Sequence, residues 1–244
     1  MKRFLCALFC LFVFVYAYAD TRNVTWYNED GTIYTTTTCT VGGDVILPQA
    51  PTKIGYTFKG WGTYYKLEYI ESTGTQWIDT GYYANNTTVF TLRANKASCS
   101  GYVNGTSGNQ NAFYVCGGQW AWYSYRDYKY AIDTNSINVF IIKNKQFFIN
   151  DVLIDQQTSA VPSIWRSPYT FVLFGLKRNA TTVSSYPLKI YGASFAEGNT
   201  LVHNFIPAQR MFDGAVGLYD TVTQQFFGNS GTGEFIAGPS VGGI

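Results

Sequence analysis

The chain alternates apolar and polar positions in short runs, each closed by turn-forming residues. In INVFIIKNKQFFINDVLID, the apolar run Ile137–Ile142 is broken by Lys143-Asn144-Lys145. Phe147–Ile149 returns, Asn150-Asp151 turns again, and Val152–Ile154 follows. A period of two sends successive side chains to opposite faces of a strand. The same pattern predicts strands over YTFVLFG (Tyr169–Gly175), PLKIYGASF (Pro187–Phe195) and TLVHNFIPA (Thr200–Ala208). Glu197-Gly198-Asn199 turns between the last two, and VGLYDTVTQQFFG (Val216–Gly228) reads as a hairpin around Asp220. No segment of useful length has the helical period. Many short strands at regular spacing predict an all-β protein with a sandwich or barrel.

Residues 20–63 form a separate block. Val24 and Trp26 share one strand face, Asp30-Gly31 suits a tight hairpin turn, and Thr32–Thr40 is a β-branched return strand. Gly42-Gly43 ends it, and Pro48 and Pro51 exclude helix and central strand there. Tyr56, Phe58 and Trp61 offer bulk for a very small core. Residues 64–244 form the larger block, long enough to bury roughly 70% of its unfolded surface.

The start of the chain changes the charge and cysteine counts. Lys2 and Arg3 precede an apolar run over Leu5–Tyr16, and Ala17-Tyr18-Ala19 is a small-x-small cleavage pattern. This predicts a secretory signal peptide over residues 1–19. The alternative, a membrane anchor, needs an apolar run of about 20 residues, longer than this one. Lys2 and Arg3 are two of the 17 basic residues, so the mature chain balances its 15 acidic ones. Charge therefore gives no reason to expect a nucleic-acid partner. No second apolar span follows, so the expected location is secreted, or held non-covalently at a cell surface. The mature chain keeps Cys39, Cys99 and Cys116. An odd count in an oxidising compartment allows at most one internal bridge. Cys99–Cys116 is the candidate disulfide, and three buried thiols are the alternative.

Two resemblances follow from particular residues. WYNEDGT, the Gly42-Gly43 break and LPQAPTKIGYTFKGW resemble the Listeria–Bacteroides repeat of internalin-type bacterial surface proteins. That resemblance implies a small β-grasp-like module over residues 20–63. LEYIESTGTQWIDTG at the start of the second block, with LVHNFIP and DGAVGLYDTVTQQFFGNSGTGEFIAG at its end, resembles laminin-G-like, concanavalin-type domains of bacterial and phage surface proteins. It implies an antiparallel two-sheet jelly-roll β-sandwich over residues 64–244, with first and last strands adjacent. That fold hosts lectins, glycosidases, adhesion modules and spacers, so it does not assign a function.

Candidate chemistry is sparse. Glycoside hydrolysis needs two carboxylates facing one sugar bond. Glu68 and Glu71 are three apart and face opposite sides of a continuous strand, and the Glu-x-Asp-x-Glu pattern of concanavalin-type glycosidases is absent. Asp79 shares a face with Trp77, with Ile78 on the other. His203 is the only histidine and reads as a structural or surface strand residue. No metal, P-loop or nucleophile-elbow motif is present. GYVNGTSGNQN lacks the lysine and helix of a phosphate loop. No catalytic residue and no cofactor are expected. A calcium held by backbone carbonyls and one or two aspartates would leave no mark in the sequence.

The strongest binding candidate is GGQWAWYSYRDYKY (Gly117–Tyr130). Trp120 and Trp122 share one strand face, Tyr123 and Tyr125 the other, and Arg126 and Tyr128 follow. Flat aromatics beside polar groups suit sugar faces, which combine C–H patches with hydroxyls. The competing reading is that one aromatic pair fills the core. A second candidate is LKRNATTVSSY, where Lys177 and Arg178 could meet an anionic group. The expected role is non-catalytic recognition of a glycan or a cell-surface protein. The alternatives are a structural spacer and, third, a glycan-degrading enzyme.

Overall fold

The computed structural model describes residues 20–27, 32–43, 45–52, 54, 64–96, 100–102, 112–116, 119–127, 132–133, 136–158, 160, 162–181, 183–211 and 213–243. Of Tyr27, Tyr102, Ser124, Tyr125 and Asp127 only the backbone is described. The described residues are all-β, without helix. They fall in two compact units that divide between Trp61 and Gly62.

In the first unit, β1 (Thr21–Tyr27) pairs antiparallel with β2 (Ile33–Thr40), from Thr21↔Thr40 to Tyr27↔Ile33. Thr35, Thr37 and Cys39 of β2 are half-buried, while Thr36, Thr38 and Thr40 are exposed, as a one-sided ribbon requires. Trp26 is buried and its indole N–H donates to Thr37 Oγ1 at 2.8 Å. Tyr34 Oη donates to the Gln49 carbonyl at 3.1 Å, tying the segment after the hairpin back to it. The expected turn at Asp30-Gly31 and the GYTFKGW bulk lie outside the described residues.

The second unit begins with β3 (Tyr64–Leu67), β4 (Ile70–Ser72), β5 (Ile78–Asp79), β6 (Thr88–Ala94) and β7 (Ser100–Tyr102). It continues through β8 (Ala112–Cys116), β9 (Gln119–Asp127), β10 (Asn138–Lys143), β11 (Gln146–Ile149) and β12 (Val152–Gln156). After β13 (Val172–Leu173), β14 (Gly175–Lys177) and β15 (Val183–Ser185) come the long strands β16 (Leu188–Glu197) and β17 (Thr200–Arg210). The chain closes through β18 (Val216–Asp220), β19 (Gln225–Phe227), β20 (Ile236–Ala237) and β21 (Ser240–Gly243).

These strands make a large antiparallel sheet of twelve strands and a smaller, curled mixed sheet of seven. The large sheet runs β12-β11-β10-β6-β16-β17-β18-β19, with β4 on β16 and β3 on β17, and β20 and β21 added beyond β4 and β3. The smaller runs β15-β14-β7-β13-β5, with β8 and β9 branching from β7. Alternation decides which residues enter the core. Thr88, Phe90, Leu92 and Ala94 of β6 and Asn138, Phe140 and Ile142 of β10 are buried, and their neighbours are not. Rings from both sheets meet in one cluster: Phe90 lies 4.6 Å from Phe171 and 5.0 Å from Phe195. Burying each such ring is worth about 1.5–3 kcal/mol.

The turns follow their residues. Asn144-Lys145 and Asn150-Asp151 take positive φ at both central positions, the geometry that matches the twist of a two-residue hairpin. The strand expected over Tyr169–Gly175 is instead split at Phe174, whose φ of 64° separates β13 from β14.

Opening and closing segments of this unit lie together. Glu71 of β4 pairs with Ile236 of β20, and β3 pairs with β21. Ser230 N–H donates to Trp77 O at 2.8 Å and Thr232 N–H to Thr75 O at 3.2 Å. Gly231 is required at this approach: a Cβ there would sit 2.2 Å from the Thr75 carbonyl oxygen and 2.7 Å from Trp77 Cδ1.

Candidate functional site

The aromatic stretch on β9 is core, not surface. Trp120 is 0% and Trp122 2% exposed, and the platform expected of them is absent. Val115↔Trp120 and Phe113↔Trp122 pairing turns both indoles inward. Trp120 stacks on Phe147 of β11 at 5.6 Å, and Trp122 meets Phe113 at 5.5 Å and Trp165 at 6.3 Å. The expected alternation then breaks at Tyr123. Its φ of 68° returns the side chain to the same core, 6.1 Å from the Trp165 ring, instead of the opposite face. Ala121 packs on the other side with Tyr114 and Leu176. The Tyr125 side chain and Tyr128 lie outside the described residues.

Arg126 is engaged as well. Its Nε donates to Asp155 Oδ2 and its Nη2 to Asp155 Oδ1, both at 3.1 Å, and Trp120 Nε1 donates to the same Oδ2 at 3.0 Å. Burial pushes the Asp155 carboxyl up. The bonds from Arg126, Trp120 and the Gln156 N–H outweigh it and hold the group below the ordinary carboxylate range. Asp155 sits on β12, at one edge of the large sheet. Trp120 and Arg126 sit on β9, whose only described partner is β8. The three residues therefore clamp one sheet to the other.

Lys177 and Arg178 do not converge on a common anion. Lys177 Nζ turns inward to Asp79 Oδ2 at 2.8 Å and to Thr170 Oγ1 at 2.6 Å, while exposed Arg178 bonds Ser184 Oγ at 3.2 Å. Burial raises the Asp79 carboxyl, but Lys177, Thr170 and the Gly81 N–H together hold it below its usual value. An acid so held donates no proton near neutrality. Glu68 is exposed, and Glu71 faces Lys189 at 3.5 Å. The strand is interrupted at Glu68-Tyr69, so the alternation that set the two glutamates on opposite faces does not run through. Burial pushes the Tyr191 hydroxyl up, the Lys189 ammonium opposes it, and both glutamates add to the rise.

His203 is a tie between strands. Its Nδ1 lies 2.7 Å from Oδ2 of fully buried Asp220, which also accepts from Thr223 Oγ1 at 2.6 Å, Asn204 N–H at 2.8 Å and Val222 N–H at 3.1 Å. Asp220 thereby organises the turn from β18 to β19 that the sequence centred on it. Cys116 is disulfide-bonded, whereas Cys39 is a half-buried free thiol. The expected partner, Cys99, lies outside the described residues. Its chain neighbour Ser100 pairs with Val115, the neighbour of Cys116.

Clefts open on the surface of the second unit among the described residues, and two bear on function. One, of about 450 Å³, lies between the β17–β18 turn and the loop after β19, lined by Arg210, Asp213, Phe226, Asn229 and Glu234 among others. Arg210 is forked onto Asp213 and lies over the Phe226 ring at 4.9 Å, so the cleft's cation is already matched. The other, of about 310 Å³, is lined by Asn86, Trp122, Asn144, Lys145, Pro162 and Ser163. Trp122 is its one buried member and forms the base; the other five are exposed. Asn86 Nδ2 donates to the Ser163 carbonyl at 2.7 Å and fixes the wall. The sequence named Trp122 but missed its neighbours here, because they come from three separate loops.

Against this geometry, no family model, no curated protein and no solved structure matches the chain.

Proposed function

We propose that the chain is a secreted, non-catalytic recognition protein. In this reading a Listeria–Bacteroides-type module precedes a concanavalin-type jelly roll, and the jelly roll binds glycan at the Trp122 cleft. Two sheets on one core and adjacent opening and closing strands support the fold assignment. The observation that carries the function is the cleft itself. Two carboxamides, a hydroxyl and an ammonium ring an opening floored by buried Trp122, a set of polar groups suited to a hydroxyl-rich ligand.

The test is a glycan array probed with wild type and with Ser163→Ala, an exposed change that keeps the Ser163 carbonyl bond to Asn86. Binding that Ser163→Ala weakens supports the reading. An array without signal contradicts it and favours a second reading, a structural spacer. That alternative has its own support in the burial of both tryptophans and the engagement of Arg126 by Asp155.

A further inference from the structure

We infer that the ligand of the Trp122 cleft is an anionic saccharide, one that carries a uronate carboxylate or a sulfate ester. This rests on the glycan-binding reading and deepens it. Four cations of the second unit face carboxylates: Lys177 with Asp79 at 2.8 Å, Arg126 with Asp155 at 3.1 Å, Lys189 with Glu71 at 3.5 Å, and Arg210 with Asp213. Lys145, like exposed Lys66, does not, and of these cations it is the one that lines the cleft. It is exposed at the tip of the β10–β11 turn and has no ion-pair or ring partner among the described residues. None of the six lining residues is acidic, so Lys145 alone sets the charge of the cleft.

The ammonium is carried on a fixed turn. Asn144 and Lys145 take φ values of 51° and 65°, Lys143 pairs with Gln146 below them, and the Lys145 carbonyl accepts the Gln157 N–H at 2.7 Å. The surrounding polar groups are also unused. Asn86 spends its Nδ2 on Ser163 O and keeps its Oδ1, while the Asn144 carboxamide and Ser163 hydroxyl have no side-chain partner among the described residues. Behind the base, the Trp165 indole N–H is buried without a hydrogen-bond partner among the described residues, its ring 6.3 Å from that of Trp122.

An ammonium bonds a carboxylate or sulfate about twice as strongly as a neutral acceptor. The carboxamides and hydroxyl match saccharide hydroxyls. A neutral saccharide leaves Lys145 to water, and a cationic one is repelled. A single exposed ammonium is worth up to about fivefold in affinity, diminished by salt because the screening length is only about 8 Å at physiological ionic strength.

The experiment titrates the full chain with polygalacturonate, dextran sulfate and dextran at about 50 and 500 mM salt. Wild type is compared with Lys145→Gln and with Lys66→Gln, an exposed lysine of β3 outside the cleft. The expected result is about fivefold tighter binding to a polyanion than to dextran at low salt. Lys145→Gln abolishes that margin and Lys66→Gln keeps it. Preference for polygalacturonate identifies a carboxylate as the anion, and preference for dextran sulfate a sulfate. Equal binding of neutral and anionic polymers, unchanged in Lys145→Gln, overturns the inference and leaves glycan binding standing. Equal losses in the two lysine variants also overturn it, as unspecific charge. Failure to bind any polymer overturns both readings.

Discussion

Asp155 is the acceptor on which one side of the second unit closes. Asp155→Ala removes the partner of the Trp120 indole N–H, which belongs to a fully buried residue, and of both arms of the Arg126 fork. A buried donor left without a partner costs about 1–3 kcal/mol. The Arg126 pair is partly exposed, with side-chain exposures of 33% and 19%, so its own contribution is about 0.5–1 kcal/mol after screening. The expected loss is about 2–3 kcal/mol. With a urea dependence of about 2 kcal/mol per molar, the midpoint falls by about 1–1.5 M at unchanged slope. Urea unfolding followed by far-UV circular dichroism reads this directly. Glu234→Ala, an exposed change, should stay within about 0.5 kcal/mol of wild type. In a double-mutant cycle with Trp120→Phe, the two losses should be non-additive by about 1 kcal/mol or more. A loss below 0.5 kcal/mol in Asp155→Ala, or strict additivity, refutes the clamp.

Acid should destabilise the protein through Asp79, Asp155 and Asp220. Burial raises each carboxyl, yet hydrogen bonds hold all three below the ordinary value in the folded state. Their stabilisation is therefore present above about pH 4, the unfolded value, and is lost as pH falls through the folded values. Urea midpoints should drop as pH falls below about 4, less steeply in Asp220→Asn; a flat profile contradicts this. Gly231→Ala places a methyl against the Thr75 carbonyl and should loosen the join between opening and closing segments, seen as faster amide exchange at Trp77 and Thr75. Unchanged exchange there would show that the join tolerates a side chain. Reduction of the Cys116 disulfide should cost about 2–4 kcal/mol, read as a lower thermal midpoint in dithiothreitol, and Cys116→Ser should match reduced wild type. A midpoint insensitive to dithiothreitol contradicts that.

The strands were legible because alternation and turn residues point the same way. Asn144-Lys145, Asn150-Asp151 and Gly198 each stand where a hairpin turns. Sites were less legible, since period two assigns a residue to a face but does not say which face is buried. Trp120 and Trp122 lie on one face as expected, and that face is the core. The period also fails where φ turns positive, so Tyr123 joins the indoles it was expected to oppose. Side-chain pairs between distant segments, such as Asp155 with Arg126 or Lys177 with Asp79, leave no local signal at all. The cleft is of this kind, assembled from Asn86, the Asn144-Lys145 turn and Pro162-Ser163 over Trp122.

The most direct test of glycan recognition at that cleft is an amide and indole N–H spectrum of the full chain titrated with an oligosaccharide that binds it. The predicted result is saturable shifts confined to Asn86, Asn144, Lys145, Ser163 and the Trp122 indole. Shifts that map instead to Tyr69 and Tyr191 on the outer face of the large sheet, or no saturable shift with any oligosaccharide, would contradict it.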